Sequence, residues 1–173
     1  MKIITGKVRF SYANVWEPKS INGSEPKYSV SIIISKADVE TLKKIKVAIV
    51  EAKKEGIAKF GDKIFDNLKT PLRDGDVDRP EDEAYAGNYF INANSIIKPG
   101  IVNKSVQAII DQSEFYSGCF GRASIVFYAY NAEGNVGIAC GLQNLQKLED
   151  GEMLSGHSSA EEDFAALEED FLN

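Results

Sequence analysis

The stretch RASIVFYAYNAEGNVGIACGLQNL, residues 122–145, carries the clearest structural pattern in the chain. Its first half alternates between apolar and more polar positions, which predicts a strand with one buried and one exposed face. The predicted buried face holds Ala123, Ile125, Phe127 and Ala129, and the opposite face holds Arg122, Ser124, Val126, Tyr128 and Tyr130. Residues 131–135 contain Gly134 and predict a hairpin turn. Residues 136–145 are then expected to return as the partner strand.

The same alternation occurs in the first part of the chain. It predicts a half-buried strand over residues 3–12 and a second strand over residues 27–34. Residues 14–26, which include Trp16, Pro18 and Asn22-Gly23, are expected to form the loop between them. The two strands fit an antiparallel hairpin with a long connection.

A helix is predicted to follow the second strand. Ser35 has the character of an N-cap, with Asp38 three positions later, and Gly56 or Gly61 ends the helix near Glu55. Apolar residues recur at steps of three and four, which predicts one buried stripe and leaves the lysines on a solvated face. The stripe consists of Val39, Leu42, Ile45, Ile49 and Ala52.

The rest of the chain favours strands and loops over further helices. Residues 61–83 are expected to form a loop, residues 84–93 have strand composition, and residues 106–110 predict a short strand. Several strands, one clear helix and long loops indicate a β-rich α+β domain. A small closed or partly open β-barrel over residues 1–150 fits the length of 173 residues.

Charge is divided between the body of the chain and its end. The formal net charge is −6, but residues 149–173 hold nine acidic residues and no Lys or Arg. Residues 1–148 therefore carry 20 basic and 17 acidic residues, a net charge of +3. Because the acidic balance belongs to the end of the chain, it does not exclude a body that binds nucleic acid.

Residues 151–173 are predicted to form a flexible, disordered acidic tail. They begin with small polar residues and end with the unit Glu-Glu-Asp-Phe at 161–164 and again at 168–171. Two interpretations stay open: a solubilising end, or a peptide that binds partners through Phe anchors and steering carboxylates. The candidate partner-binding residues are Glu161, Glu162, Asp163, Phe164, Glu168, Glu169, Asp170 and Phe171.

Patterns that support catalysis are scarce. The single histidine, His157, lies in the predicted linker, where no rigid Ser–His or Cys–His pair can form. The sequence contains no Walker-type phosphate loop. Cys119 and Cys140 are better explained by buried packing than by metal or redox chemistry. The chain is therefore expected not to be an enzyme, with no catalytic residue, metal or cofactor.

One acidic cluster keeps a catalytic alternative open. Asp74, Asp76 and Asp78 are spaced two residues apart, but the calcium-loop pattern fails because its sixth and twelfth positions are not Gly and Glu. Carboxylates from another strand could complete a two-metal site, which would suit a metal-dependent nuclease or nuclease subunit. The other interpretation is a solvated loop whose acids pair with Arg73 and Arg79.

The body interleaves aromatic and basic residues. Single-stranded nucleic acid needs cations for its phosphates and flat side chains for its unstacked bases. Lys7 and Arg9 share one strand face, and Arg122 shares another with Tyr128 and Tyr130. An aromatic residue in a strand is more often part of the core, so this pattern alone is weak evidence for nucleic-acid binding. The division of charge between the body and the end of the chain strengthens it. The candidate DNA-binding residues are Lys7, Arg9, Trp16, Lys19, Lys27, Tyr116, Arg122, Tyr128 and Tyr130.

Several long runs of the sequence carry a family resemblance. They are GKVRFSYANVWEPK (6–19), EPKYSVSIII (25–34), PLRDGD (71–76), EAYAGNYFINANS (83–95), DQSEFYSGCFGRASIVFYAYN (111–131) and GIACGLQNLQKLEDGE (137–152). In this order they resemble a family of phage and prophage single-stranded DNA-binding proteins, formerly catalogued as a domain of unknown function. The resemblance spans residues 2–152 and implies an OB-fold body that binds single-stranded DNA without sequence preference in replication or recombination.

The acidic end also resembles the tails of other phage and bacterial single-strand binders. Such tails recruit replication proteins and compete with DNA for the binding groove. In this chain Leu172 and Asn173 follow Phe171, so the aromatic residue is not terminal. The resemblance therefore implies docking by the tail rather than a pocket for a terminal Phe carboxylate.

These interpretations predict a sequence-independent single-stranded DNA-binding protein that coats and protects single strands during phage replication or recombination. Its partners would be single-stranded DNA and, through the tail, phage or host replication and recombination proteins; a homodimer is left open. The N-terminus lacks the apolar core of a signal peptide, so the cytoplasm of the bacterial host is expected, with no membrane association. The alternatives are the nuclease described above and an adaptor protein that does not bind DNA.

Overall fold

The computed structural model describes residues 1–20, 23–60, 68–154 and 164. The strands and α-helices within these residues are β1 (Lys2–Ile4), β2 (Val8–Lys19), β3 (Lys27–Ser35), α1 (Val39–Glu55), β4 (Leu72–Asp74), α2 (Gly75–Asp78), β5 (Asn88–Ser95), β6 (Gly100–Val102), β7 (Phe120–Ala132) and β8 (Asn135–Glu149). Short 3-10 helices lie at Ile57–Phe60, Glu83–Tyr85 and Gln112–Glu114. No helix in this part of the chain is long and apolar enough to cross a membrane.

Five strands pair in a closed ring, in the order β2, β3, β5, β8, β7 and back to β2. Every pairing in the ring is antiparallel except that of β5 with β8, where Asn94 lies opposite Gly141. The short strands β1 and β6 extend the sheet beyond β7 and β8. A five-stranded ring with one main helix is an OB-fold-like architecture, which confirms the predicted fold class.

The hydrophobic core fills the inside of the ring. On β7, the alternate residues from Ala123 to Ala129 that were predicted to face inward are all buried. On β3, Val30, Ile32 and Ile34 are buried in the same cluster. β7 and β8 pair as an antiparallel hairpin from Phe120 to Ala132, with register shifts at Phe120/Gly121 and Ser124/Ile125, so the hairpin predicted from residues 122–145 is confirmed.

Helix α1 closes one end of the ring, and its predicted extent is nearly right. Leu42, Ile45, Ile49 and Ala52 are buried as expected, and Gly56 provides the C-cap. The N-cap is Asp38 rather than Ser35, since the Asp38 side chain accepts a hydrogen bond from the Thr41 backbone N–H at 3.2 Å. The helix therefore begins at Val39, which lies beyond the edge of the core and is 70% exposed, contrary to the predicted stripe.

The strand predicted over residues 3–12 is two strands in the structure. β1 leaves β2 at Thr5 and pairs with β7, because Thr5 exchanges hydrogen bonds with Ala123. β2 also continues to Lys19, so the loop expected from residue 14 begins only at Ser20. At residues 106–110 the predicted strand is absent, and only Ala108 forms an isolated bridge.

The alternation of β2 breaks at Tyr12. This residue has a φ of +45°, and the pairing of β2 with β3 shifts register between Ser11 and Asn14. A β-bulge of this kind redirects a side chain from one face of the sheet to the other. Regular alternation along β2 would place Tyr12 on the inner face with Val8 and Phe10, but because of the bulge it is 56% exposed.

The segment that precedes β5 folds over the outside of the ring. We call residues 72–87 the flap; they include β4 and α2 and end next to β5. Tyr85 of the flap is fully buried against Ile33 and Phe90, with its ring edge-on to the Phe90 ring at 5.0 Å. Its hydroxyl donates to Ser31 Oγ at 2.8 Å, and burial raises the pKa of the Tyr85 phenol. The flap thus has a small core of its own on the outer side of β3 and β5.

We predict that Tyr85→Ala lowers the free energy of unfolding by about 3–5 kcal/mol, as for other large buried aromatic residues. Urea denaturation measures this loss. Val77→Ala, in the same flap but at an exposed position, is the matched control and should change stability by less than about 0.5 kcal/mol. A Tyr85→Ala loss as small as that of the control would contradict the second core.

Candidate nucleic-acid interface

The outer faces of β3 and β5 carry small polar side chains. Since alternate residues of a strand lie on opposite faces, the residues between the buried positions of β3 and β5 lie on the outside of the ring. Ser29 pairs with Asn94, Ser31 with Asn92, and Ile33 with Phe90. The flap covers Ile33, Phe90 and Ser31, and it leaves the Ser29, Asn92 and Asn94 end open. In OB folds this face and the adjoining loops bind oligonucleotides.

A depression of about 310 Å³ adjoins the open end of this face. Lys27, Asn94, Tyr128 and Gln143 are among the residues that line it. Tyr128 is 42% exposed, and partial burial raises the pKa of its phenol, so the ring stays neutral near physiological pH. The depression therefore combines a cation, a flat ring and amide groups.

A second depression, of about 180 Å³, lies on the neighbouring strand β2. Tyr12, Asn14 and Lys19 line it, and Lys19 is paired with Lys27 across the ladder of β2 and β3. The two depressions are thus linked by two exposed lysines and flanked by Tyr12 and Tyr128. We call this continuous surface the lysine path.

A larger cleft of about 970 Å³ adjoins the lysine path at Tyr12. The guanidinium of Arg79 lies over three rings there, at 5.4 Å from Tyr12, 5.8 Å from Tyr85 and 5.7 Å from Phe90. The acidic residues of the cleft are Asp78, Glu81, Asp82, Glu83 and Glu152, and its basic residues are Arg9 and Arg79. Because this balance repels phosphate, the Arg79 cleft limits the lysine path at this end.

Three of the predicted DNA-binding residues, Lys19, Lys27 and Tyr128, lie together on the lysine path. Arg9 reaches the Arg79 cleft instead, where it donates to the carbonyl oxygens of Gly118 at 3.1 Å and Glu152 at 2.8 Å. Lys7 shares a face with Arg9 as expected, since both cations lie over the Phe120 ring.

Lys7 lies away from the lysine path and has a partner of its own. It forms an ion pair with Glu149 at the end of β8. The hydrogen bond from Lys7 holds the pKa of Glu149 below its ordinary value.

Trp16 has a partly structural role. Its indole N–H donates to the Phe115 carbonyl oxygen at 3.0 Å, and its half-buried ring packs against the core. The ammonium of Lys98 lies 5.5 Å from the ring centroid. The part of the Trp16 ring that stays accessible to solvent therefore has the Lys98 ammonium as a neighbour.

Arg122 is not brought to the lysine path, and Tyr130 lines neither of its two depressions. Arg122 lies on the same face of β7 as Tyr128, but six residues of strand separate them by about 20 Å. It donates to Gln146 Oε1 and lines a different depression, next to Ile4. Tyr130 is half-buried and pairs with Gly137, whose missing side chain leaves room for the Tyr130 ring.

Tyr116 fixes the segment that leads out of β8. Its hydroxyl lies 3.1 Å from Asp150 Oδ1 and 2.9 Å from the Gly151 carbonyl oxygen. Hydrogen bonds from Lys147 and then Tyr116 hold the pKa of Asp150 below its ordinary value. The predicted DNA-contact residue thus serves as an anchor for the chain end.

The anchored segment, residues 150–154, lies across the outside of the body, and we call it the strap. Its Glu152 carbonyl accepts from Arg9, and the Leu154 N–H donates to the Ser117 carbonyl oxygen at 2.8 Å. Gly118, at a φ of +118°, allows the Glu152 carbonyl to approach where a side chain would clash. The expected domain boundary at residue 150 falls at the start of the strap. Leu154, its last residue, lines both the Arg79 cleft and the depression of Tyr12 and Lys19.

Residues 151–154, predicted to begin the flexible tail, are instead held to the body as part of the strap, because Gly151, Glu152 and Leu154 form hydrogen bonds with it. Of the predicted partner-binding residues, only Phe164 is among the described residues, and it is exposed. Whether they bind partners stays a prediction. The strap nevertheless fixes where the tail starts, which is beside the lysine path.

The acidic cluster of the flap is held by cations. Lys36 Nζ lies 2.9 Å from Asp74 Oδ1 and 2.8 Å from Asp76 Oδ2, and Arg73 lies 3.8 Å from Asp78. The hydrogen bond from Lys36 and then one from the Gly87 N–H lower the pKa of Asp76. In residues 1–20, 23–60 and 68–154, no three His, Cys, Asp or Glu side chains form a group suited to a metal ion. The nuclease alternative therefore gains no site from these carboxylates.

Arg79 differs from the sequence prediction, which paired it with the acids of its own loop. It lies instead over the rings of Tyr12, Tyr85 and Phe90, because the flap turns it toward the bulge of β2. Sequence reasoning also missed Tyr12 and Lys98 as surface residues of this region. Only the bulge exposes Tyr12, and no local pattern in residues 8–14 marks it.

The two cysteines behave as packing residues. Cys119 and Cys140 are both buried and free, as predicted. Burial raises the pKa of each thiol, so neither is a ready nucleophile.

Comparison with known proteins places this geometry in a family context. A family model described as the single-stranded DNA-binding protein of Enterobacter phage Enc34 matches residues 1–172. The p50 protein of Acyrthosiphon pisum secondary endosymbiont phage 1 is 29% identical over 187 residues, covering 99% of this chain and 98% of p50.

Two solved structures share the fold. The single-stranded DNA-binding protein of bacteriophage Enc34, in complex with single-stranded DNA, is similar with a TM-score of 0.78 and 25% identity, over 89% of each chain. The single-stranded DNA-binding protein gp2.5 of bacteriophage T7 has a TM-score of 0.60 and 14% identity, covering 94% of this chain and 92% of gp2.5. The second similarity concerns the fold alone.

Proposed function

Because the chain belongs to the family of the Enterobacter phage Enc34 single-stranded DNA-binding protein, we propose that it binds single-stranded DNA without sequence preference. The observation that carries this proposal is the position of Lys19, Lys27 and Tyr128 on one open outer surface of the ring. That surface is where OB folds bind oligonucleotides.

Binding would follow from the chemistry of the lysine path. Lys19 and Lys27 attract the phosphates, and Tyr12 and Tyr128 offer ring faces to the bases. Every base has a π-face, so stacking does not select a sequence. Asn94 adds an amide group that can hydrogen-bond sugars or base edges. Affinity should fall with salt, because neutralised phosphates release counterions.

The biological role we propose is that of a coat for single strands in phage replication or recombination. A protein that binds only the single strand draws the duplex equilibrium toward open DNA by mass action. It also covers the backbone against nucleases. This role needs binding and no catalytic step.

The acidic tail would have two functions within this role. It starts at Leu154 beside the lysine path and carries six acidic residues beyond that point. A tethered anion at that place competes with DNA for the same lysines. Once DNA displaces it, the tail with its two Phe residues is available to replication or recombination proteins.

A fluorescence titration with poly-dT tests the central proposal, with a duplex of equal length as the comparison and two salt concentrations. We expect tight binding of poly-dT that weakens as salt rises, and much weaker binding of the duplex. Equal affinity for both would contradict selectivity for single strands. Failure to bind any oligonucleotide at low salt would favour the adaptor alternative.

Substitutions on the lysine path should weaken binding of poly-dT. Tyr128→Ala removes one stacking ring and should reduce affinity about 5- to 150-fold. Lys27→Ala should lower the slope of log affinity against log salt by about 0.7, the value for one phosphate contact on a single strand. Arg122→Ala, on the same strand but about 20 Å from Tyr128, is the matched control. Equal losses in path and control variants would contradict the assigned surface.

Removal of residues 155–173, which keeps the strap, should raise affinity for poly-dT at low salt. The increase should shrink as salt rises, since screening weakens the competing tail. A full-length variant with the six tail acids changed to Asn or Gln keeps the length of the tail and should show the same increase. Unchanged or lower affinity in both variants would show that the tail does not compete with DNA.

A further inference from the structure

A pocket of about 460 Å³ lies between α1 and Tyr89 of β5, apart from the lysine path and the Arg79 cleft. Val39, Leu42 and Val47 supply its apolar surface. Val39 is 70% exposed and Val47 is 44% exposed, so two of the apolar side chains that line the pocket remain uncovered. Packing on the ring does not explain these two exposed valines.

Cations surround this apolar surface. Lys43 and Lys46 border the pocket, both are exposed, and within the described residues neither forms an ion pair. Lys36 is already held by Asp74 and Asp76, with its ammonium 5.1 Å from the Tyr89 ring centroid. The pocket therefore offers an apolar floor and two unpaired ammonium groups to a ligand.

We infer that this pocket, which we call the α1 pocket, binds the Glu-Glu-Asp-Phe units of the tail of a second copy of the chain. Each unit, 161–164 and 168–171, places an aromatic anchor directly after three carboxylates. An apolar pocket bordered by lysines is complementary to that order of residues in both apolar character and charge. Phe164 and Phe171 are seven residues apart, so they lie on one face if the segment becomes helical on docking.

A second copy is the occupant that the placement of the two surfaces favours. The tail leaves the body at Leu154 beside the lysine path, whereas the α1 pocket is a different surface formed by α1 and β5. Contacts between unlike surfaces are heterologous and can propagate from copy to copy along a line. Copies bound side by side on one strand would be linked in this way, so the inference rests on the proposed function.

Docking would also depend on whether DNA is bound. When the lysine path is empty, the tail competes for it within its own copy. When DNA occupies the path, the tail is released close to a neighbouring copy, at a high effective concentration. DNA binding would thus convert an internal contact into a contact between copies.

Cysteine trapping between full-length chains tests the inference. One preparation carries Val47→Cys and a second carries Ala165→Cys, next to Phe164. Because Cys119 and Cys140 are buried, the new thiols are the ones that react under mild oxidation. Mixed on oligo-dT long enough for several copies, the two variants should form a disulfide-linked dimer. Ile110→Cys, an exposed apolar position elsewhere, is the matched control and should give at least about fivefold less product with Ala165→Cys.

A binding measurement without DNA provides the second test. A fluorescein-labelled peptide of residues 159–173 is titrated with full-length protein. Lys43→Glu combined with Lys46→Glu should weaken binding by about tenfold, since two attractions become repulsions. Lys53→Glu combined with Lys54→Glu keeps the same charge change on α1 outside the pocket and should stay within about twofold of the unmodified chain.

The outcomes separate this inference from the proposed function. Trapping only within a chain that carries both Val47→Cys and Ala165→Cys would mean that the occupant is the chain's own tail, and would overturn the inference. The inference would also be overturned if no disulfide-linked dimer forms. An equal loss of affinity for the peptide in the Lys43→Glu/Lys46→Glu and Lys53→Glu/Lys54→Glu variants would overturn it too. If Lys43→Glu with Lys46→Glu abolishes binding of a short oligo-dT that holds one copy, the pocket belongs to the DNA interface instead. If the unmodified chain binds no oligo-dT, the proposed function fails, and the peptide titration still decides whether the pocket binds the tail.

Discussion

Closure of the ring depends on a close backbone crossing at Gly121. This residue pairs with Val8 of β2 and Lys147 of β8, so three strands meet there. A Cβ at position 121 would lie 1.9 Å from the Gln146 carbonyl oxygen, which is far inside van der Waals contact. It would also lie only 3.0 Å from the Phe10 ring. Only glycine permits the crossing, and the crossing lets β7 pair with β2 and β8 together. Because the ring closes, each of its five strands has an inner face that packs in the core and an outer face that other segments or ligands can contact.

The outer face of the ring has a part covered by the flap and the strap and a part that stays open. The flap covers the part over Ile33 with its own small core, and the strap holds the end of β8 beside Arg9. The surface left open carries Lys19, Lys27 and Tyr128, while the carboxylates gather around the Arg79 cleft. Attraction along one surface and repulsion at its end would hold a polyanion on the lysine path. The same division places the start of an acidic tail where it meets those lysines.

Sequence alone predicted the parts of the fold that depend on local periodicity. The hairpin of β7 and β8, strand β3 and most of α1 follow from alternation or from steps of three and four, because each buries one continuous face. The bulge at Tyr12 could not be predicted, since the register of β2 against β3 causes it. The burial of Tyr85 and the stacking of Arg79 depend on the flap folding back onto the ring, which is a contact between distant segments. For the candidate site, alternation placed Arg122 and Tyr128 on one face correctly, but a shared face is not a shared site, since six residues of a 13-residue strand separate the two by about 20 Å.

Photochemical cross-linking of oligo-dT to the full-length protein shows where on the ring the DNA lies. After ultraviolet irradiation and proteolysis, mass spectrometry identifies the peptides that carry nucleotide adducts. We predict adducts on Tyr128 and Tyr12, with protection of Lys19 and Lys27 from amine modification. Adducts confined to α1, or to the depression beside Arg122 and Ile4, with both lysines still reactive, would contradict it.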